Sequence, residues 1–177
     1  MNTTWKTVLW HQFGAAIDML GMAMAACPDR LWRVHLWGED SERPDLAEFW
    51  YIAYHTLFWL DLYLSGSVEG FTPLAPFTLD ELDPVGLVPD PPYTRDQLQA
   101  YLEHGRKKCR ATIEALTDEE ASRRCAFPWG ELSFAELLLD SMRHVQEHAA
   151  QLNMILGQKA GWEPRWIAQV KDVQAGQ

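Results

Sequence analysis

Two histidines four residues apart carry the clearest chemical signal in the sequence. His144 and His148 lie in the run RHVQEH, and residues four apart on a helix share one face. Both imidazoles can therefore be directed at one point, where a shared metal ion would bind them. Two alternatives stay open from the spacing alone: a pair on a hydrated surface, or core histidines hydrogen-bonded to carbonyl groups. The run does not match HExxH, so a zinc-protease site is not supported.

A third histidine strengthens the metal hypothesis. His55 lies in the apolar run AYHTLFW, where core packing is the alternative interpretation. Three imidazoles leave coordination positions for water or substrate, which is typical of a catalytic metal. Gln151 follows His148 by three residues and is a candidate to orient a ligand. Tyr51 and Trp59, one turn either side of His55, are candidate pocket walls, with plain core packing as the alternative.

The sequence nominates no catalytic acid or base. We find no Asp or Glu close enough on the helical faces that carry the three histidines, so the catalytic residues stay unassigned. The acidic side chains of the segment that follows the second predicted helix are interpreted as a solvated rim: Glu69, Asp80, Glu81, Asp83 and Asp90.

Apolar residues at spacings of three and four predict four long helices. The first ends at Cys27-Pro28, since proline cannot continue a helix. The others are expected to begin at capping boxes, Asp45 with Glu48, Thr94 with Gln97 and Ser133 with Glu136. They should cover about 45–65, 94–116 and 133–156, the last ending before Gly157 as its C-cap. No run alternates convincingly, so strands should be minor or absent.

These helices predict an all-α fold, a four-helix bundle over residues 1–157. Six prolines between residues 66 and 93 exclude a helix or central strand there. That segment should therefore form a long crossover loop between helices 2 and 3, with one short turn at residues 78–81. A tail at 158–177 contains Trp162 and Trp166 and is expected to pack on the bundle or on a partner chain.

Composition limits the classes of function. The chain has 177 residues and a net charge of −10, which fits about one domain of ~150 residues and argues against nucleic acid or anionic membranes as partners. Three cysteines without CxxC spacing indicate reduced thiols. We expect no secretory signal and no membrane span, since the most apolar stretch, 49–64, is too short. A cytoplasmic location follows as an expectation.

Two segments resemble the DinB-like (DinB/YfiT) family of metalloenzymes. They are WYIAYHTLFWLDLYL around His55 and LLLDSMRHVQEHAAQLNMIL around His144 and His148, and the resemblance covers about residues 5–160. The family's three metal-ligand histidines match these three positions one by one. The resemblance implies a four-helix bundle, usually a homodimer, with one divalent metal ion. Zinc or nickel fits best, and iron or manganese is compatible.

The resemblance also implies a class of activity. Family members of known activity mostly handle low-molecular-weight thiols, which suggests transfer of a small thiol to an electrophilic substrate. Thiol transfer needs a protein base less than hydrolysis does, and no base is nominated here. A metal-dependent hydrolase and a non-catalytic metal-binding stress-response protein stay open as alternatives.

Overall fold

Five helices and one β-hairpin form the described part of the chain, residues 2–38 and 42–170 of a computed structural model. The helices are α1 (Thr3–Ala26), α2 (Phe49–Ser65), α3 (Arg95–Ala115), α4 (Asp118–Ser122) and α5 (Phe134–Ala160). The strands are β1 (Arg124–Phe127) and β2 (Gly130–Ser133), paired antiparallel. Short 3₁₀ turns lie at Asp29–Leu31, Pro44–Ala47 and Asp80–Leu82.

The four long helices pack as a bundle around one apolar core. Helices α1 and α2 each pack against both α3 and α5, so every long helix has two neighbours. The predicted all-α four-helix bundle is confirmed, and the long crossover joins α2 to α3 as expected. None of the helices in the described ranges combines the length and the apolar character that crossing a bilayer requires.

Buried aromatic rings fix the crossover between α2 and α3 onto the bundle. Phe71, Phe77 and Tyr93 are all buried, and the ring of Phe77 stacks on Tyr101 of α3 with centroids 4.1 Å apart. The crossover is therefore anchored on both sides of the 3₁₀ turn at Asp80–Leu82. This anchoring holds the turn against the bundle.

Two of the three capping boxes predicted at helix starts are confirmed, and the third is not formed. Helices α3 and α5 begin at capping boxes, in which the Thr94 and Ser133 side chains accept hydrogen bonds from backbone N–H groups three residues on. The predicted capping box at the start of α2 is wrong. The helix begins at Phe49 and makes no side-chain cap bond, because the Glu48 carboxylate instead accepts hydrogen bonds from Arg33 and Trp50.

Helix α5 extends further than predicted. It passes through Gly157 and ends at Ala160, with Gly161 as the C-cap at φ +66°. Only glycine adopts that left-handed conformation without strain, so Gly161 rather than Gly157 ends the helix. Gly157 has a different use: a Cβ there would lie 3.3 Å from the backbone oxygen of Trp162, where the tail turns back.

The tail packs on the bundle as far as the structure describes it. The Trp162 indole N–H donates to Asn153 Oδ1 at 2.9 Å, and the Val170 N–H donates to the His11 carbonyl of α1 at 2.9 Å. Trp166 is 75% exposed. The rest of the predicted tail, residues 171–177, lies outside the described residues.

Candidate metal centre

Three imidazoles from two helices converge on one point. His55 is on α2 and His144 and His148 are on α5, and these two helices are neighbours in the bundle. The Nε2 atoms of His144 and His55 are 3.2 Å apart, and those of His148 and His144 are 3.0 Å apart. All three side chains are partly exposed. The cluster therefore lies near the surface of the bundle, within reach of small molecules.

The spacing of the nitrogens suits one shared ion. Imidazole nitrogens bind zinc at ~2.0–2.1 Å, so two of them at a tetrahedral angle lie ~3.3–3.4 Å apart. The observed separations are slightly shorter than this value, and the three candidate ligand atoms all lie within 4.8 Å of one another. The three histidines are a group able to hold a divalent metal ion.

The outer nitrogens of two imidazoles donate to fixed acceptors. His55 Nδ1–H donates to Glu81 Oε2 at 2.7 Å, and the Trp59 indole N–H donates to the same oxygen at 2.9 Å. On α5, His148 Nδ1–H donates to Gln151 Oε1 at 2.7 Å. Such partners fix the tautomer and the ring orientation of a metal-binding histidine.

These hydrogen bonds leave lone pairs directed at one another. A neutral imidazole carries one N–H, so His55 and His148, which donate from Nδ1, present unprotonated Nε2 atoms to His144. A proton on His144 Nε2 can be donated to only one of the two, and the lone pair of the other is then left without a donor. A divalent cation accepts all three lone pairs at once. The donor set therefore fits a metal ion better than it fits a hydrogen-bonded cluster.

Burial keeps two of the imidazoles in the metal-binding form. It lowers the pKa of His144 to about 3, helped by the charges of His55 and His148. Burial also lowers the pKa of His148, although the hydrogen bond to Gln151 works in the opposite direction. Both rings are therefore neutral at pH 7, and neutral imidazole is the form that binds metal.

Glu81 is the functional residue that the sequence analysis missed. It was expected on a solvated rim, but its side chain is only 3% exposed and is paired with His55. Burial raises its pKa, yet the hydrogen bond and charge of His55, with smaller contributions from Tyr51 and Trp59, lower it below the usual value overall. Glu81 lies in the turn Asp80–Leu82 of the crossover, away from the helical faces that carry the histidines. The only sequence signal was the short turn predicted at residues 78–81.

The other candidates lie beside the cluster. The Tyr51 ring is nearly parallel to that of His55, with centroids 6.3 Å apart, and the Trp59 ring lies at the same distance on the next turn. Gln151 is the acceptor for His148. The structure places these three side chains next to the imidazoles, where they can form the walls of a pocket.

The remaining histidines and the thiols do not join the cluster. His104 instead lies 3.3 Å from buried Asp61, which also pairs with Lys108. The three cysteines are buried and free of disulfides. Burial raises the pKa of Cys27 to about 11 and raises that of Cys109 further, so neither thiol is suited to act as a nucleophile.

Comparison with known proteins gives one match. The family model described as the DinB superfamily matches residues 12–152, a range that contains all three histidines of the cluster. No curated protein and no solved structure matches the chain.

Proposed function

The chain belongs to the DinB superfamily, and from this premise we propose that it is a divalent-metal-dependent enzyme. The observation that carries the proposal is the convergence of three imidazole Nε2 atoms, with the outer nitrogens of His55 and His148 held by Glu81 and Gln151. Three protein ligands leave at least one coordination position free, which is the pattern of a catalytic site. Zinc or nickel suits the all-nitrogen set best, and iron or manganese is compatible.

A bound divalent ion would lower the pKa of a coordinated water or thiol and so supply a nucleophile near neutral pH. The protein's own part is to orient the imidazoles. Glu81 orients His55, and the Trp59 indole N–H donates to the same Glu81 oxygen. Partial exposure of the three rings lets a small substrate reach them.

We propose thiol S-transfer as the reaction class. Glu81 already accepts two N–H donors through Oε2 and has a lowered pKa. It is therefore suited to orient His55 rather than to take a proton from water. In S-transfer the thiol sulfur forms a bond to an electrophilic carbon, the leaving group departs with its electron pair, and the thiol proton passes to solvent.

The free cysteines support a proposal for the cellular compartment of the protein. Three thiols without a disulfide support a reducing compartment, and we place the protein in the cytoplasm as part of the proposal. Its partners would be a small thiol and a small electrophile, and the protein would be a homodimer, as is usual in the family that the sequence resembles.

The test combines metal analysis with a transfer assay. Purified protein loaded with zinc or nickel is incubated with 1-chloro-2,4-dinitrobenzene and with bacillithiol, mycothiol, glutathione or cysteine in turn. We expect thioether formation faster than the uncatalysed reaction of the same thiol, with this excess rate lost in His55→Ala. A full complement of metal without turnover for any thiol would contradict the enzyme proposal and favour a non-catalytic metal binder. Thiol-independent cleavage of an ester substrate would favour the hydrolase.

A further inference from the structure

A cleft opens beside the candidate metal centre, between α2 and the β-hairpin. It has a volume of about 390 Å³ and is lined by Trp59, Val68, Leu82, Pro128 and Trp129. This volume falls within the range of small-molecule sites, roughly 300–1,000 Å³. All five lining residues are of apolar type, and we refer to this space as the hairpin cleft.

Neighbouring aromatic rings pack against the two tryptophans that line the hairpin cleft. Phe127 and Trp129 are parallel to within 2°, with centroids 5.4 Å apart. The Tyr63 ring stands edge-on to both of them, and it also contacts Trp59 at 5.2 Å. The two tryptophans that line the cleft are therefore held in place by neighbouring rings.

Part of the lining of the hairpin cleft is exposed to solvent. Trp129 is 48% exposed and Val68 is 38% exposed, although both border a concave surface. Aromatic rings prefer offset-stacked or edge-to-face partners, and each such pair is favourable beyond the burial of its area. A planar ring is thus the ligand that these walls would bind most favourably.

Trp59 connects the hairpin cleft to the histidine cluster. Its indole N–H donates to Glu81 Oε2, the oxygen that also accepts from His55. Leu82, which lines the cleft, follows Glu81 directly in the chain. Trp59 is thus shared by the two sites: it lines the hairpin cleft and its ring centroid lies 6.3 Å from that of His55.

We propose that the hairpin cleft binds the planar aromatic part of an electrophilic substrate. The inference rests on the proposed thiol transfer and adds the class of acceptor: an arene, held against Trp59 and Trp129 so that its reactive carbon faces the metal centre. Small thiols are polar and charged, so the apolar lining favours the arene over the thiol as occupant.

The test uses 1,3-dinitrobenzene, an arene without a leaving group, so that binding is measured without turnover. It is titrated into ¹⁵N-labelled, zinc-loaded protein while the tryptophan indole N–H resonances are recorded. We expect saturable shifts at Trp59 and Trp129. Trp129→Ala should weaken binding about fivefold to tenfold, the loss expected from removing one aromatic partner, and Trp129→Phe should restore most of it.

Trp5→Ala is the matched control. Trp5 is 66% exposed and lines a separate apolar groove between α1 and α5, so its removal should leave the affinity unchanged. Shifts confined to Trp5, equal losses in both alanine variants, or no saturable shift at all would overturn the proposal. Arene binding in a protein that takes up no metal would instead contradict the proposed function alone. Metal-dependent turnover without arene binding in the cleft would contradict this inference alone.

Discussion

Glu81 determines which ring nitrogen of His55 points toward the other two imidazoles. Its carboxylate fixes His55 with Nδ1 protonated, and Gln151 does the same for His148. Because the outer nitrogens are occupied, the inner Nε2 atoms are left to bind a metal ion. The metal affinity of the three histidines should therefore depend on Glu81 and Gln151, which do not bind the ion themselves.

Replacing Glu81 by Gln should weaken metal binding. The amide retains an oxygen acceptor of similar shape but removes the negative charge that increases the basicity of His55. Loss of such an outer partner typically costs 10–100-fold in metal affinity, and we expect a decrease of about that size in a competition titration with a chromophoric chelator. Glu69→Gln, an exposed position in the same crossover, should match the parent protein. Equal affinities for Glu81→Gln and the parent would contradict the role assigned to Glu81.

The buried imidazole of His144 makes the stability of the metal-free protein depend on pH. Its pKa falls from 6.5 to about 3 on folding, chiefly through burial. Between these two values the unfolded chain binds a proton that the folded chain does not, so the free energy of unfolding should decrease as the pH falls from about 6.5 toward about 3. Urea unfolding of EDTA-treated protein at pH 7 and pH 5 measures the decrease, which should be smaller in His144→Gln. The same decrease in both proteins would refute this assignment.

At the scale of elements, the sequence predicts the helices that carry the histidines better than it predicts the loop that supports them. The capping box at Ser133 and the spacing of His144 and His148 depend on residues close in the chain, so local rules suffice. Glu81 reaches His55 from 26 positions away, through a turn whose place is set by buried rings. No periodicity relates those two positions.

Local sequence patterns also fail to predict the end of α5 and the start of α2. Gly157 has the residue type of a C-cap, but the chain reaches its left-handed turn only at Gly161. Glu48 has the residue type and spacing of the second member of a capping box that Asp45 would begin, but its carboxylate accepts hydrogen bonds from Arg33 and Trp50. In each case a contact outside the local segment determines the outcome.

Phe77 should matter both to stability and to the metal site. It is 6% exposed and anchors the crossover by stacking on Tyr101. Phe77→Ala should lower the free energy of unfolding by about 3–5 kcal/mol, the usual cost of such a truncation, and should also weaken metal binding because the Glu81 turn loses its anchor. Leu79→Ala, at a 48% exposed position in the same segment, should do neither. Unchanged metal affinity in folded Phe77→Ala would show that the turn keeps its position without this ring.

At the scale of the whole molecule, an apolar groove between α1 and α5 is left uncovered by the rest of the described chain. Trp5 and Val8 of α1 and Leu139 and Met142 of α5 border a groove of about 200 Å³, and the first three of these side chains are exposed. Large exposed apolar patches commonly mark interfaces between proteins. This groove is the surface on which we expect the proposed homodimer to form.

Leu139→Arg should therefore convert a dimer into a monomer, because a buried guanidinium without a partner is costly at an interface. Sedimentation velocity at micromolar concentration measures the change. Val85→Arg is the control, since Val85 is 78% exposed on the crossover. A parent protein that sediments as a monomer, or a Leu139→Arg variant that stays dimeric, would contradict this placement of the interface.

The central claim is that His55, His144 and His148 together hold one divalent ion, and metal content measures it most directly. The protein is loaded with zinc, freed of excess metal and analysed by inductively coupled plasma mass spectrometry, beside the three single alanine variants and His35→Ala. We predict about one zinc ion per chain for the parent and for His35→Ala, since His35 lies outside the cluster, with most of the metal lost from each of the other three variants. Full zinc retention in those three variants, or no zinc in the parent protein, would contradict the claim.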